Sequence, residues 1–152
     1  MMEDKIIAIK NLSKYFFSNN KKKWVIKDIN MGIKEKEFIV ILGPGVCGKS
    51  TFLKILGGIE KQSSGTIIFE GKKFEKNKSS EISRKFGFVF QNSNLLPWRT
   101  AEGNINVVLE IQKLKSKKWK SRVNEMLNIV GLSAYRKMFP HELSGGMQQR
   151  LS

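Results

Sequence analysis

The amino-acid sequence predicts a single α/β domain, and three features support that prediction. Residues 38–42 read FIVIL, an apolar run typical of a strand that is buried on both faces, as in a parallel sheet. A glycine-rich string follows at residues 43–48, and an apolar pattern with helical spacing follows that string. Helical patterns dominate the last third of the chain from about Thr100. We therefore expect strands first and a helical subdomain last.

Short apolar segments separated by polar turns predict the other strands. The first covers residues 5–12, and the second covers residues 24–29 after a polar turn at residues 18–21. Two more are expected at residues 66–69 and 86–90, where β-branched and aromatic side chains cluster. Glycine and serine near these segments mark the turns between them.

Apolar spacing also predicts two helices. One begins at the glycine-rich string and ends near Gly57. The other places Trp119 and Val130 on one face, together with Val123, Met126 and Leu127. Gly131 then occupies a position where a left-handed residue commonly ends a helix, and Leu132 supplies the apolar contact that often accompanies such an end.

Composition limits the class of protein. The chain has 152 residues, of which 40% are hydrophobic and 27% are charged, so it can form a packed core and is too apolar for a disordered chain. The single cysteine, Cys47, excludes an intrachain disulfide framework. The uncharged stretches are shorter than a membrane span, and the acidic start does not resemble a signal peptide. We expect a cytosolic protein, or a soluble part of something larger.

The net charge predicts anionic partners. There are 28 Lys and Arg against 13 Asp and Glu, which gives 28 − 13 = +15. An ordinary lysine-rich surface is the plainest explanation, and an anionic membrane or partner surface comes next. Nucleic acid is the least favoured, because base recognition favours arginine and only Arg84, Arg99 and Arg122 precede Arg136.

The glycine-rich string matches G-x-x-x-x-G-K-[ST], a nucleotide-binding pattern when it follows a strand and opens a helix. Small residues let backbone N–H groups surround phosphates, and a helix start adds unpaired N–H groups and a positive dipole end. Lys49 is expected to bind the β- and γ-phosphates, Ser50 to coordinate Mg²⁺, and Thr51 to add a second hydroxyl. The string consists of Gly43, Pro44, Gly45, Val46, Cys47, Gly48, Lys49, Ser50 and Thr51.

Two residues of this loop have alternative interpretations. Cys47 is either a small filler in a crowded loop, which we favour, or a thiol acidified by the helix start and Lys49. Val46 is β-branched and resists a positive φ. We expect Gly45 to adopt the unusual backbone conformation or Val46 to be strained.

A second glycine element lies near the end of the sequence. Ser144 is a suitable N-cap, and Gly145 and Gly146 would expose backbone N–H groups at a helix start. This arrangement predicts a second anion site. An ordinary capped helix with a loose first turn explains the same residues, and the spacing alone does not decide between them.

With both strings in view, the chain resembles the ATP-binding subunit of an ABC transporter over residues 10–152. Residues 43–51 resemble the Walker A loop, and residues 143–150 (LSGGMQQR) resemble the family signature. Gln91 resembles the glutamine of the Q-loop. The segment at residues 95–100 resembles the importer branch for nitrate, sulfonate and taurine.

The resemblance also suggests how the base is bound. Phe16 stands where the family has the aromatic residue that stacks on adenine. Tyr15 and Phe17 are weaker candidates, because alternate residues of a strand face opposite sides.

The resemblance implies a P-loop NTPase core of the ABC ATPase type. An antiparallel β part and the ATP-binding core would occupy residues 1–95, and a helical subdomain ending in the signature helix would occupy residues 100–152. Two subunits would pair head to tail, with ATP and Mg²⁺ between the Walker A loop of one and Ser144, Gly145 and Gly146 of the other. Gln91 would contact Mg²⁺ or the attacking water.

The implied partners are a second ATP-binding subunit, a membrane-spanning permease subunit and, indirectly, an extracytoplasmic solute-binding protein. The implied location is the inner face of the cell membrane. ATP hydrolysis would drive solute import.

The sequence departs from the family pattern at three places. Gly45 and Val46 stand where the family loop usually has a small polar residue followed by glycine. Lys36 stands where the family usually has a turn glycine. The strand with the Walker B aspartate and the catalytic glutamate follows the signature in the family, and these 152 residues do not contain it. We therefore expect a truncated subunit, lacking the C-terminal part of the core, that does not hydrolyse ATP by itself. The alternatives are a non-hydrolysing ATP-binding fragment and a nucleic-acid-associated ABC-like protein.

Overall fold

The computed structural model describes residues 5–74, 85–111 and 118–152. The chain divides into two compact units, Met1–Phe88 and Val89–Ser152. The sequence analysis expected a boundary between residues 95 and 100. Its assignment of the two parts to an ATP-binding core and a helical subdomain stays a prediction.

The first unit contains one antiparallel sheet with the strand order β2-β1-β3-β4. Asn19 and Asn20 join the first two strands, and both have positive φ, as the tight turn of a two-residue hairpin requires. The predicted strands at residues 5–12, 24–29 and 66–69 are confirmed, and the first two are longer than expected. The strands are β1 (Lys5–Ser18), β2 (Lys21–Lys34), β3 (Ser64–Phe69) and β4 (Lys72–Lys73).

Helix α1 (Lys49–Leu56) completes the core of this unit. Phe52 and Ile55 of the helix are buried in one cluster with apolar residues of the sheet. Each such side chain contributes roughly 1.5–3 kcal/mol on burial. The helix ends near Gly57 as expected, because Gly58 has a φ of 72° and the Ile59 N–H donates to the Lys54 carbonyl at 2.9 Å. The sheet residues of the cluster are Ile7, Ile9, Leu12, Ile26, Ile67 and Phe69.

The predicted strands at residues 38–42 and 86–90 are wrong. Neither segment belongs to the sheet of the described residues. Exposure still alternates along residues 38–42. Ile41 packs against the core, whereas Phe38 and Leu42 are 90% and 87% exposed. The prediction that residues 38–42 are buried on both faces is therefore also wrong. A strand needs a hydrogen-bonded neighbour for its backbone groups, and the described part of the chain places none beside residues 38–42.

The second unit is built from short helices around a small core. Val123, Leu127 and Leu132 are buried at its centre. Met126, from the same predicted face as Val123 and Leu127, is 41% exposed, so this face is only partly buried. The elements are α2 (Ala101–Ile111), α3 (Lys118–Ile129), 3₁₀ turns at Ser133–Tyr135 and Pro140–Glu142, and α4 (Gly145–Leu151).

The end of α3 follows the sequence prediction. Gly131 has a φ of 68°. Its N–H donates to the Asn128 carbonyl at 3.0 Å, and the Leu132 N–H donates to the Leu127 carbonyl at 2.8 Å. This pair of hydrogen bonds is the Schellman ending, and the fully buried Leu132 supplies its apolar contact.

Across the three described ranges, the helices are too short or too polar to cross a bilayer.

Candidate functional site

A surface cavity of about 680 Å³ lies where the β1–β2 hairpin and the start of α1 come together. Its volume falls in the range of roughly 300–1,000 Å³ that is usual for small-molecule sites. All of its lining residues belong to the first unit. They are Phe16, Ser18, Lys23, Trp24, Val25, Val46, Cys47, Gly48, Lys49, Ser50 and Thr51.

Gly48 forms the start of the helix, and a residue with a side chain does not fit at this position. Its φ is 100°, and a Cβ at this position would lie 2.7 Å from the Val25 carbonyl oxygen. No side chain caps the helix at this residue. The first N–H groups of α1 have no partner within the helix, so they can bind an anion together with the positive end of the helix dipole.

Lys49 folds back onto the phosphate loop. Its ammonium donates to the carbonyls of Gly43 and Pro44, each at 2.7 Å, and contacts Cys47 Sγ at 3.5 Å. These contacts place a positive charge inside the turn of the loop. A phosphate would compete well for this ammonium, because charge-assisted hydrogen bonds are stronger than those to neutral carbonyls.

Val46 adopts the strained conformation considered from the sequence. Its φ is 61°, whereas Gly45 does not have a positive φ, and the Val46 side chain is fully exposed. A left-handed conformation costs roughly 1–2 kcal/mol for an ordinary L-residue. Gly45 therefore does not relieve the strain.

Cys47 is exposed and packs tightly within the loop. A Cβ on Gly43 would lie 2.9 Å from its sulfur. This crowding agrees with a role as a small filler, and the alternative of an acidified thiol stays a prediction.

Phe16 is the aromatic residue of β1 that lines the cavity. Tyr15 and Phe17 are not among the lining residues. Tyr15 contacts Phe17 and the lining residue Trp24, with ring centroids 5.4 Å and 5.2 Å apart. The alternation expected along the strand is therefore present. Stacking of Phe16 on adenine stays a prediction.

The sequence analysis missed Lys23 and Trp24 as cavity residues. The hairpin register pairs Lys23 with Phe16 and Trp24 with Tyr15. Counting outward from the turn at Asn19 would have found Lys23, because the turn fixes the register of the two strands it joins. It would not have found Trp24, since that residue pairs with Tyr15, which is not in the lining.

An ion pair lies beside Phe16 within the same unit. The Lys14 ammonium donates to Glu60 Oε1 and to the Lys61 carbonyl, both at 2.7 Å. The hydrogen bond from Lys14 holds the pKa of Glu60 below its usual value. The ammonium also lies 4.6 Å from the centroid of the Phe16 ring. Nothing in the local sequence pattern pointed to this contact.

The second glycine element opens α4 in the other unit. Ser144 caps this helix by accepting a hydrogen bond from the Met147 N–H at 3.3 Å. Gly145 and Gly146 are exposed, and a Cβ at either would meet no atom within 4 Å. The backbone at this helix start is thus open to a ligand or a partner.

Two glutamines connect α4 to the segment that contains Gln91, which is itself exposed. The Gln149 side chain donates to the Phe90 carbonyl at 3.0 Å, and the Ser93 hydroxyl donates to Gln148 at 3.2 Å. The sequence analysis assigned no role to these glutamines, because the contacts join residues far apart in the chain.

Asn104 holds the loop at residues 95–100. Its side-chain oxygen accepts from the Leu96 N–H at 2.7 Å, and its amide nitrogen lies 3.0 Å from the carbonyls of Arg99 and Thr100. This asparagine gives the loop a defined shape. Sequence analysis did not identify it.

The residues at the cavity fit a Mg²⁺ ion that is bound mainly through phosphates. Among the described residues, no cluster of three His, Cys, Asp or Glu side chains could hold a metal. Ser50 and Thr51 contribute hydroxyls to the lining. Mg²⁺ commonly takes few protein ligands and completes its shell with phosphate oxygens and water. Gln91 lies in the other unit, and its part in the metal site stays a prediction.

Comparisons with known proteins agree with these features. A family model described as ABC transporter matches residues 26–152. The chain is 39% identical over 146 residues to the aliphatic sulfonates import ATP-binding protein SsuB of Bacillus cereus, covering 96% of this chain and 55% of that protein. It is 42% identical over 151 residues to the spermidine/putrescine import ATP-binding protein PotA of Clostridium novyi, covering 99% and 42%.

Solved structures of ATP-binding cassettes also match the chain. The dimeric structure of a post-hydrolysis state of the ATP-binding cassette MJ0796 bound to ADP and Pi matches with a TM-score of 0.85 and 33% identity. That match covers 95% of this chain and 66% of the solved chain. The chain spans about half the length of the curated relatives it matches.

Proposed function

Since the chain belongs to the ABC transporter family, we propose that it forms the ATP-binding part of a subunit that powers solute import. One observation carries the proposal: a single cavity is lined by both the Phe16 ring and the start of α1. A flat aromatic ring can stack on a base, and a helix start can bind phosphates.

The residues of the loop have separate roles in this proposal. The N–H groups that follow Gly48 bind the phosphates, and Lys49 exchanges its carbonyl partners for phosphate oxygens. Ser50 contributes a hydroxyl to Mg²⁺. When bound, Mg²⁺ would supply positive charge that neutralises part of the charge of the phosphates.

We further propose that residues 1–152 bind ATP without turnover. The lining of the cavity, as far as the described residues define it, includes no carboxylate. A carboxylate is a common general base for activating water, and the lining formed by the described residues supplies none. Phosphate release by the purified chain should equal that of Lys49→Ala, and release above that level would contradict this part of the proposal.

The partners follow from the relatives. SsuB and PotA are named for different solutes, and the chain resembles both at similar identity. We therefore propose that a membrane permease and its binding protein select the solute, and that this chain acts at the inner face of the membrane. The open start of α4 at Gly145 and Gly146 would contact the ATP of a second subunit, as in a head-to-tail dimer.

Titration with Mg-ATP tests the central proposal. Lys49→Ala should weaken binding at least about tenfold, because charge-assisted hydrogen bonds contribute roughly 1.5–3 kcal/mol. Lys54→Ala is the matched control, since Lys54 is exposed in the last turn of the same helix and does not line the cavity. An absence of binding by the unaltered chain, or equal losses in both variants, would refute ATP binding at this cavity.

A further inference from the structure

Lys14 is the charged residue among the buried side chains of the described ranges, with 9% of its surface exposed. A buried ammonium is costly unless hydrogen bonds and an opposite charge compensate it. Glu60 and the Lys61 carbonyl provide that compensation at 2.7 Å. An apolar side chain could pack at this position without any of these partners, so packing alone does not account for a lysine.

The ammonium has one further contact, which is the ring of Phe16. It lies 4.6 Å from the ring centroid, within the distance of about 6 Å at which a cation is attracted to an aromatic face. Since Glu60 and Lys61 hold the ammonium, the ammonium in turn holds the plane of the ring. Phe16 is 42% exposed, so packing covers only part of the residue.

We propose that Lys14, anchored by Glu60, is a positioning residue that holds the Phe16 ring ready to stack on the base of a nucleotide. A ring has two faces, and the ammonium covers one of them. The other face is then the one available to a flat ligand in the cavity that Phe16 lines. This inference rests on the proposed function. It adds to that function the residue that orients the base-binding ring.

The role of Lys14 predicts a loss of affinity for the base alone. The phosphate loop does not include Lys14, Phe16 or Glu60, so their substitution should weaken binding of the base and leave binding of the phosphates unchanged. Inorganic tripolyphosphate carries the phosphates without a base. The ratio of the ATP affinity to the tripolyphosphate affinity therefore measures the contribution of the ring.

The test uses the full chain and the double variant Lys14→Met with Glu60→Gln, which removes both charges and keeps similar side-chain lengths. Both ligands are titrated in the presence of Mg²⁺. We expect the preference for ATP to fall about threefold to tenfold, as loss of a cation–π contact predicts. The affinity for tripolyphosphate should stay unchanged.

Lys22→Met is the matched control. The Lys22 ammonium lies 4.8 Å from the ring of Tyr15, which is not a lining residue of the cavity. This variant removes the same kind of contact away from the cavity, so its ATP preference should equal that of the unaltered chain. In a Phe16→Leu background, the Lys14 and Glu60 substitutions should have no further effect on the preference.

Several results would overturn the inference. An unchanged ATP preference in the folded double variant would mean that Lys14 does not position the ring. An equal loss for both ligands would indicate a structural role only. If the unaltered chain bound tripolyphosphate as well as ATP, base stacking would be absent, whereas binding of neither ligand would refute the proposed function itself. If the double variant does not fold, Glu60→Gln alone decides, and it must lower the preference for ATP without changing tripolyphosphate binding.

Discussion

The two glycine-containing helix starts of this protein are built differently. At the start of α1, Gly48 has a φ of 100° and lies so close to the Val25 carbonyl that no side chain fits. At the start of α4, Gly145 and Gly146 have ordinary φ values and open space around them. In the first case glycine is needed by the fold of its own unit. In the second case the fold does not need it, and the predicted contact with a ligand or a partner subunit stays a prediction.

The largest effect that separates the two helix starts is expected for Gly48→Ala. An alanine there combines a positive φ with a clash against Val25, and we expect a loss of about 2–4 kcal/mol in the free energy of unfolding. Mg-ATP binding should be lost with it, because the phosphate loop leads into this residue. Urea unfolding and ATP titration measure the two effects. A stable Gly48→Ala variant with normal ATP affinity would show that the loop tolerates a side chain.

A smaller effect is expected for Val46→Gly in the same loop. Val46 has a φ of 61°, and glycine adopts that conformation without strain. Part of the gain is offset by the greater entropy of glycine in the unfolded chain, so the unfolding free energy should rise by about 0.5–1 kcal/mol. Mg-ATP binding should strengthen, since a backbone restriction in the phosphate loop is removed.

Lys36→Gly is the control for Val46→Gly. Lys36 also has a positive φ, of 61°, but it does not line the cavity. The substitution should raise stability to a similar extent and leave ATP affinity unchanged. Equal gains in ATP affinity for both variants would mean that the effect of Val46→Gly comes from general stabilisation.

The smallest effect on stability is expected for Gly146→Ala. Alanine is about 0.5–1 kcal/mol more favourable than glycine in a helix, and the site has room for a methyl group. Thermal unfolding should therefore show no loss and at most a small gain. A clear destabilisation would contradict the comparison, because it would mean that the fold needs glycine at α4 as it does at α1.

The two most apolar segments of the first unit show where sequence patterns were insufficient. Strand β1 is paired on both sides, by β2 and β3. Residues 38–42 are a purer apolar run, yet they have no place in the sheet of the described residues. Apolar composition predicted a strand in both cases, and burial on both faces for residues 38–42. The difference lies in hydrogen-bonding neighbours, which composition does not reveal.

The candidate site was predictable where it depends on a short motif. The positions of Gly48 and Lys49 followed from the pattern of the phosphate loop. The family resemblance pointed to Phe16, and alternation along β1 made Tyr15 the weaker candidate. The contact between Lys14 and Glu60 was not predictable, because it joins a strand to a turn 46 residues away. The link from Gln149 to the Phe90 carbonyl is a similar case.

By itself the sequence determined the turn at Asn19 and Asn20, the helix end at Gly131 and the cap at Ser144. Each depends on backbone conformations and hydrogen bonds within a few residues, so local chemistry is sufficient. Only the tertiary structure decided that residues 38–42 stay outside the sheet and that Lys14 lies against the Phe16 ring. Both outcomes depend on which distant segments come together, and that choice follows from packing and hydrogen-bond pairing across the whole unit.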